Sequence, residues 1–143
     1  MKQPAPKKVH SDTSPLVILE SPFRGTTKEA RLMNIKYAQL CIRDCLRRGE
    51  SPIASHLLFT QRNILRDGVE SERILGMVAG WAWMRVAKKL VVYMDRGISK
   101  GMHLGIKKAM SINLEIEYRT LHPQLYKEKM GEASQLYLLP RKL

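Results

Sequence analysis

Acidic residues and cysteines are scarce in this chain, and no long hydrophobic run occurs. No stretch approaches the roughly 18 consecutive apolar residues of a membrane span, and the basic N-terminus has no apolar core of the kind a secretory signal needs. A cytoplasmic protein without a membrane partner is the expectation. The only two cysteines, Cys41 and Cys45, are four residues apart. Side chains at i and i+4 on an intact helix rarely meet disulfide geometry, so both are expected to be reduced and buried. His10, His56, His103 and His122 are scattered and the cysteines have no second pair, so zinc-ligand spacing is missing and neither metal nor cofactor is expected. Aromatics are few and dispersed, and neither an RNA-recognition aromatic motif nor a helix-turn-helix is recognisable.

What the chain does hold is one domain's worth of core. Its 143 residues, 44% hydrophobic and 27% charged, suit a globular domain with tails and are too few for two ordinary domains. Lysine and arginine number 25 against 13 acidic residues, a formal charge of +12 that favours anionic partners. The excess is spread out, with 17 basic and 10 acidic residues between positions 16 and 118. Such a field attracts nucleotides and keeps nucleic acid among the partners to consider, although the solvated surface of any soluble basic protein looks the same.

Residues 1–15, with three prolines and three lysines, read as a flexible basic leader. Residues 16–120 read as the domain. Leu16 to Leu19 is a continuous branched apolar run, as a strand covered on both faces requires. From Glu29 to Arg48, Ala38, Cys41, Ile42 and Cys45 recur at helical spacing, and Gly49 is placed to end the helix. Ile53 to Phe59 reads as a second strand. Ser71 is then expected to cap a helix whose Ile74, Leu75, Val78, Ala79 and Ala82 form its apolar stripe. Trp81 and Trp83 would point about 200° apart on an α-helix, so at most one shares that stripe and the other is free to face a partner. Leu90 to Tyr93 reads as the third strand, Ser99 to Met110 as the third helix, and the alternating Leu114 to Tyr118 as an edge strand. Strict alternation of strand and helix favours an α/β domain with a mainly parallel sheet of four to five strands and helices on both faces. Residues 121–143 hold Leu121, Leu125, Tyr126, Met130 and Leu136 to Leu139 in no single period. They are expected to pack on the domain or on another subunit, which makes a homo-oligomer the expectation.

Ligands of parallel sheets bind outside the carboxyl ends of the strands, which selects the loops at Glu20–Gly25, after His56–Gln61 and at Met94–Met102. In the last of these, Asp95, Gly97, Ser99, Gly101 and Met102 bridge a strand end and a helix start. Ser99 is a suitable N-cap, Gly101 permits close approach to the backbone, and the helix N-terminus favours an anion. A phosphate or ribose hydroxyl is the expected guest, although an ordinary strand-to-helix turn has the same composition. Neither a Walker A ending nor a dinucleotide fingerprint is present. After the first strand, Glu20, Ser21, Pro22 and Phe23 would bring a carboxylate, a hydroxyl and an aromatic face to the same cleft, unless Phe23 returns to the core. His56, embedded in the expected second strand, reads as a structural residue ahead of a base. No serine elbow or Cys/His pair points to nucleophilic catalysis.

The segments Val17 to Phe23, Asn34 with Tyr37-Ala38, Ser55 to Leu58, Glu72-Arg73 with Gly76, and Val91 to Asp95 with Gly97 to Met102 together resemble a family of small, mostly phage-encoded proteins. That family is distantly similar to nucleoside 2-deoxyribosyltransferases. The resemblance runs from about Leu16 to Tyr118. It implies a single flavodoxin-like three-layer domain with a nucleoside or nucleotide pocket at the strand ends, to which Asn34 and His56 would contribute. It also implies a glutamate nucleophile on the helix after the Asp/Gly/Ser loop. Here that turn reads Met102-His103-Leu104-Gly105-Ile106, and no carboxylate occurs from Lys100 to Ser111. Glu20 and Asp95 are the remaining candidates for a catalytic carboxylate. The expectation is therefore a nucleotide- or nucleoside-binding protein that sequesters a host nucleotide or signalling molecule, with a glycosyl-bond enzyme and a basic nucleic-acid-binding protein as alternatives.

Overall fold

The computed structural model describes residues 12–131. The expected leader and C-terminal extension therefore lie outside the described residues except for 12–15 and 121–131.

Four parallel strands, β1 (Leu16–Glu20), β2 (Ser51–Ile53), β3 (Lys89–Tyr93) and β4 (Glu115–Arg119), form one sheet in the order β2-β1-β3-β4. Between them run α1 (Lys28–Arg47), α2 (Ser55–Leu58), α3 (Glu70–Ala82) with a 3-10 turn at Trp83–Arg85, and α4 (Lys100–Ser111), and α5 (Pro123–Met130) follows β4. This is a three-layer flavodoxin-like α/β domain. The central strands alternate between two cores. Val17, Leu19, Val91 and Tyr93 meet Tyr37, Cys41 and Cys45 of α1 and Tyr126 of α5. Ile18, Leu90 and Val92 meet Met84 and Met102, Ile106 and Ala109 of α4. Both cysteines are free and buried.

Local chemistry sets most of these boundaries. Thr27 caps α1, its Oγ1 accepting from the Ala30 amide at 3.1 Å. At the other end, the Gly49 amide donates to Leu46 O and the Glu50 amide to Cys45 O, and Gly49 takes a φ of +79°, as a Schellman ending requires. Ser99 caps α4 through the Met102 amide. The described part of the C-terminal extension packs on the domain, with Tyr126 edge-on to Tyr37 at 5.8 Å.

Two elements depart from the pattern in the sequence. The second strand stops at Ile53, because residues from Ala54 onward turn into α2, with Leu58 N bonded to Ala54 O and Phe59 N to Ser55 O. His56 is thus on a helical turn and not in the sheet. Helix α3 starts at Glu70 after Val69, without a serine cap, and presents its apolar stripe outward. Its glycine face is the packed one: a Cβ on Gly80 would fall on Ser55 Oγ, and one on Gly76 would lie 3.2 Å from Leu65 Cδ1. Close approach through Gly76 and Gly80 turns Ile74, Leu75 and Val78 to solvent. Trp81 packs against the second core, and Trp83 is exposed.

Candidate functional site

The connection through α1 carries the chain from β1 outward to β2, and the connection through α3 carries it back past β1 to β3. The chain therefore reverses between β1 and β3, where adjacent loops diverge and leave a crevice at the strand carboxyl ends. A cleft of about 470 Å³ opens there. Glu20 and Ser21 project from the end of β1, His56 comes from α2, Ser99 to Met102 begin α4, and α3 forms a wall with Arg73, Gly76, Met77 and Trp81. Phe23, Phe59 and Leu65 add apolar surface.

At the start of α4, Gly101 leaves the backbone bare. A Cβ there would be 3.6 Å from Arg73 Nη2, so the guanidinium lies over the first helical turn. Arg73 is positioned by Asp67 at 3.7 Å, and Asp67 also accepts from Arg24 Nε at 2.8 Å. These side chains tie the β1 loop to α3 across the cleft, leaving a cationic group beside free helix N–H groups, as an anion site needs.

One turn further along α4 is Gly105, whose Cβ would lie only 2.5 Å from Glu20 Oε1. The missing side chain is the space that the Glu20 carboxylate fills. Burial raises the Glu20 pKa to about 8, and no hydrogen bond or ion pair reaches that carboxylate among the described residues. Asp67 and Glu72 are held by arginines instead. Next to Glu20, Ser21 Oγ and His56 Nε2 are 2.8 Å apart. Burial lowers the His56 pKa to about 4, so the imidazole is neutral at pH 7, and Phe23 meets its ring edge-on at 6.3 Å. At neutral pH the cleft presents a protonated carboxyl and a neutral Ser–His pair at one end, and at the other Arg24, Arg73 and Lys100 set among Asp67, Glu70 and Glu72.

Of the residues singled out in the sequence, Glu20, Ser21, Phe23, His56, Ser99, Gly101 and Met102 line this cleft. Pro22, Asn34, Asp95 and Gly97 do not. Asp95 is buried, its Oδ2 accepting from Tyr37 Oη at 2.6 Å and from the Leu121 amide at 3.0 Å, so it ties the β3 loop to α1 and to the chain after β4. A carboxylate enclosed in this way is unsuited to attack a substrate. Asn34 joins the two loops, donating to Phe23 O and Arg24 O and accepting from Arg96 Nε at 2.9 Å. Pro22 is buried, and Gly97 supplies a φ of +82° to the loop bend. Periodicity reasoning missed Arg73 and Arg24. The signal for Arg73 was its place on the glycine face of α3, three residues before Gly76.

Among the described residues, no group of three or more His, Cys, Asp or Glu side chains could hold a metal ion, and no helix is long and apolar enough to cross a membrane. No curated protein and no solved structure matches the chain. Residues 15–119 match a family described as a domain of unknown function, DUF7768, and the chain belongs to that family.

Proposed function

We propose that this member of the family binds a nucleoside or nucleotide in the β1/β3 cleft and holds it without turning it over. The observation that carries the reading is the pair of side chains set over α4. Arg73, over the bare Gly101, offers an anion subsite, and the Glu20 carboxyl, seated on Gly105 one helical turn away, offers a polar contact. Four residues of α-helix rise about 6 Å, a span that a phosphorylated pentose bridges. Phe23, Phe59, Met77 and Trp81 supply apolar surface suited to a base. The resemblance to nucleoside deoxyribosyltransferases points to the same pocket, and its nucleophile would stand on the turn where this chain has Gly105. Glu20 keeps its proton at pH 7, so it donates a hydrogen bond to a ligand oxygen and is a poor nucleophile in that state. The role that follows is sequestration of a host nucleotide or nucleotide-derived signal, in keeping with the phage-type proteins that the sequence resembles.

Calorimetry against a panel of nucleosides and their phosphates tests the reading. A nucleotide is expected to bind in the micromolar range, and Arg73→Gln to weaken it roughly tenfold while leaving the parent nucleoside unaffected. Binding no tighter than millimolar across the panel would overturn it. The position of Glu20 over α4 also favours a second reading, cleavage of an N-glycosidic bond. Release of free base that rises above pH 8 and is lost in Glu20→Gln would establish turnover and replace capture as the function.

A further inference from the structure

Helix α3 has two faces, and only one is accounted for by the cleft. Glu70, Glu72, Arg73, Gly76, Met77 and Trp81 line it. On the opposite face, Ile74, Leu75 and Val78 are 51%, 58% and 52% exposed, and Trp83 and Val86 continue the apolar surface at 44% and 60%. An uncharged stripe of this kind on a chain so rich in charge marks a contact surface.

The charges at its two ends say what covers it. Along one edge, Glu70 stands at the start of α3, and Arg85 stands in the 3-10 turn after its end. Both are exposed, and Glu70, on the rim of the cleft, lies 4.0 Å from Arg73 of its own helix. Glu70 precedes Val78 by eight residues and Arg85 follows it by seven. In two antiparallel copies related by a two-fold axis at Val78, each Glu70 therefore comes opposite the other copy's Arg85, on the same side of the seam. Val78 then meets its own counterpart, and Leu75 faces the small Ala82. We propose that two copies of this chain pair through α3 in this antiparallel arrangement. The pairing braces the outer side of the wall that carries Arg73.

Sedimentation of the full chain tests this. The wild type is expected to be dimeric at micromolar concentration, and Val78→Asp monomeric with an unchanged far-ultraviolet circular dichroism spectrum. Glu70→Arg and Arg85→Glu, at exposed positions where folding is not at risk, are each expected to weaken the dimer roughly tenfold or more by placing like charges together. Mixing these two variants restores attraction at both contacts and should restore the dimer. A monomeric wild type would overturn the proposal and leave the stripe to residues 132–143 or to another protein. A dimer indifferent to Val78→Asp, or charge variants that stay dissociated on mixing, would overturn it as well.

Discussion

Glu20 and His56 sit side by side in the cleft and respond to burial with opposite consequences. The Glu20 carboxyl keeps its proton up to about pH 8 in the folded protein and gives it up near 4.5 when unfolded. Between those values the native state binds more protons, so folding stability falls as pH rises. His56, with its pKa lowered to about 4, binds fewer protons when folded, and its contribution is lost as pH falls below 6.5. Melting temperatures measured from about pH 5 to about pH 8 should therefore decline for the wild type on the alkaline side. Glu20→Gln should flatten that decline, and an identical slope in the variant would show that Glu20 does not hold its proton. Neither shift was legible in the sequence, since a Glu after a strand and a His before Leu57 have ordinary values until neighbouring elements exclude water from them.

Edge strand β4 shows how an element is held from outside its own ladder. Arg119 is buried, and its guanidinium takes both oxygens of Glu50 at 2.6 and 2.7 Å. It also bonds Glu117, whose second cation is Lys89 at 2.9 Å. Burial works against the Glu117 charge, yet the bonds from Arg119 and Lys89 hold its pKa down to about 2. Removing the arginine leaves two carboxylates facing one lysine. Arg119→Met should thus destabilise the fold by about 3 kcal/mol or more, read from denaturant unfolding. Arg119→Lys should recover only part of this, because an ammonium cannot bond both oxygens of Glu50 in plane.

Elements also show where pattern reading stops. Helix α1 was legible over nearly its whole length, because its apolar periodicity and Gly49 agree with packing on one face, whereas its Thr27 cap was not read. In α3 the strongest periodicity, through Ile74 and Val78, marks the exposed side, since the glycines of the other side permit a closer approach than any side chain does. The apolar run Leu57-Leu58-Phe59 has strand composition, but β1 offers β2 only Leu16 to Ile18 as partners, and the chain beyond turns into α2.

At the scale of the whole molecule, the charge of +12 adds a long-range attraction for polyanions that no single loop localises. Any association with single-stranded oligonucleotides should therefore weaken steadily as salt rises, with little dependence on base sequence, when followed by fluorescence anisotropy. Binding that persists at high salt or selects one sequence would require a dedicated nucleic-acid surface. The cleft ligand proposed above should respond far less to salt, because it meets one or two cations at close range in a partly enclosed site.

Local pattern along the chain is enough to read the alternation of strand and helix, hence the parallel sheet, and with it the end of the sheet at which a cleft forms. Both follow from local propensity and from the handedness of crossovers, which need no knowledge of distant contacts. It also carried Ser99, Gly101 and Glu20 as residues at that end. Their company is set by long-range packing. It set Glu20 against Gly105, 85 positions away in the chain, drew Ser21 onto His56, and turned Asp95 inward to Tyr37. Those outcomes depend on how closely two elements approach and which one reaches a shared space first, and side-chain volume at the contact decides that.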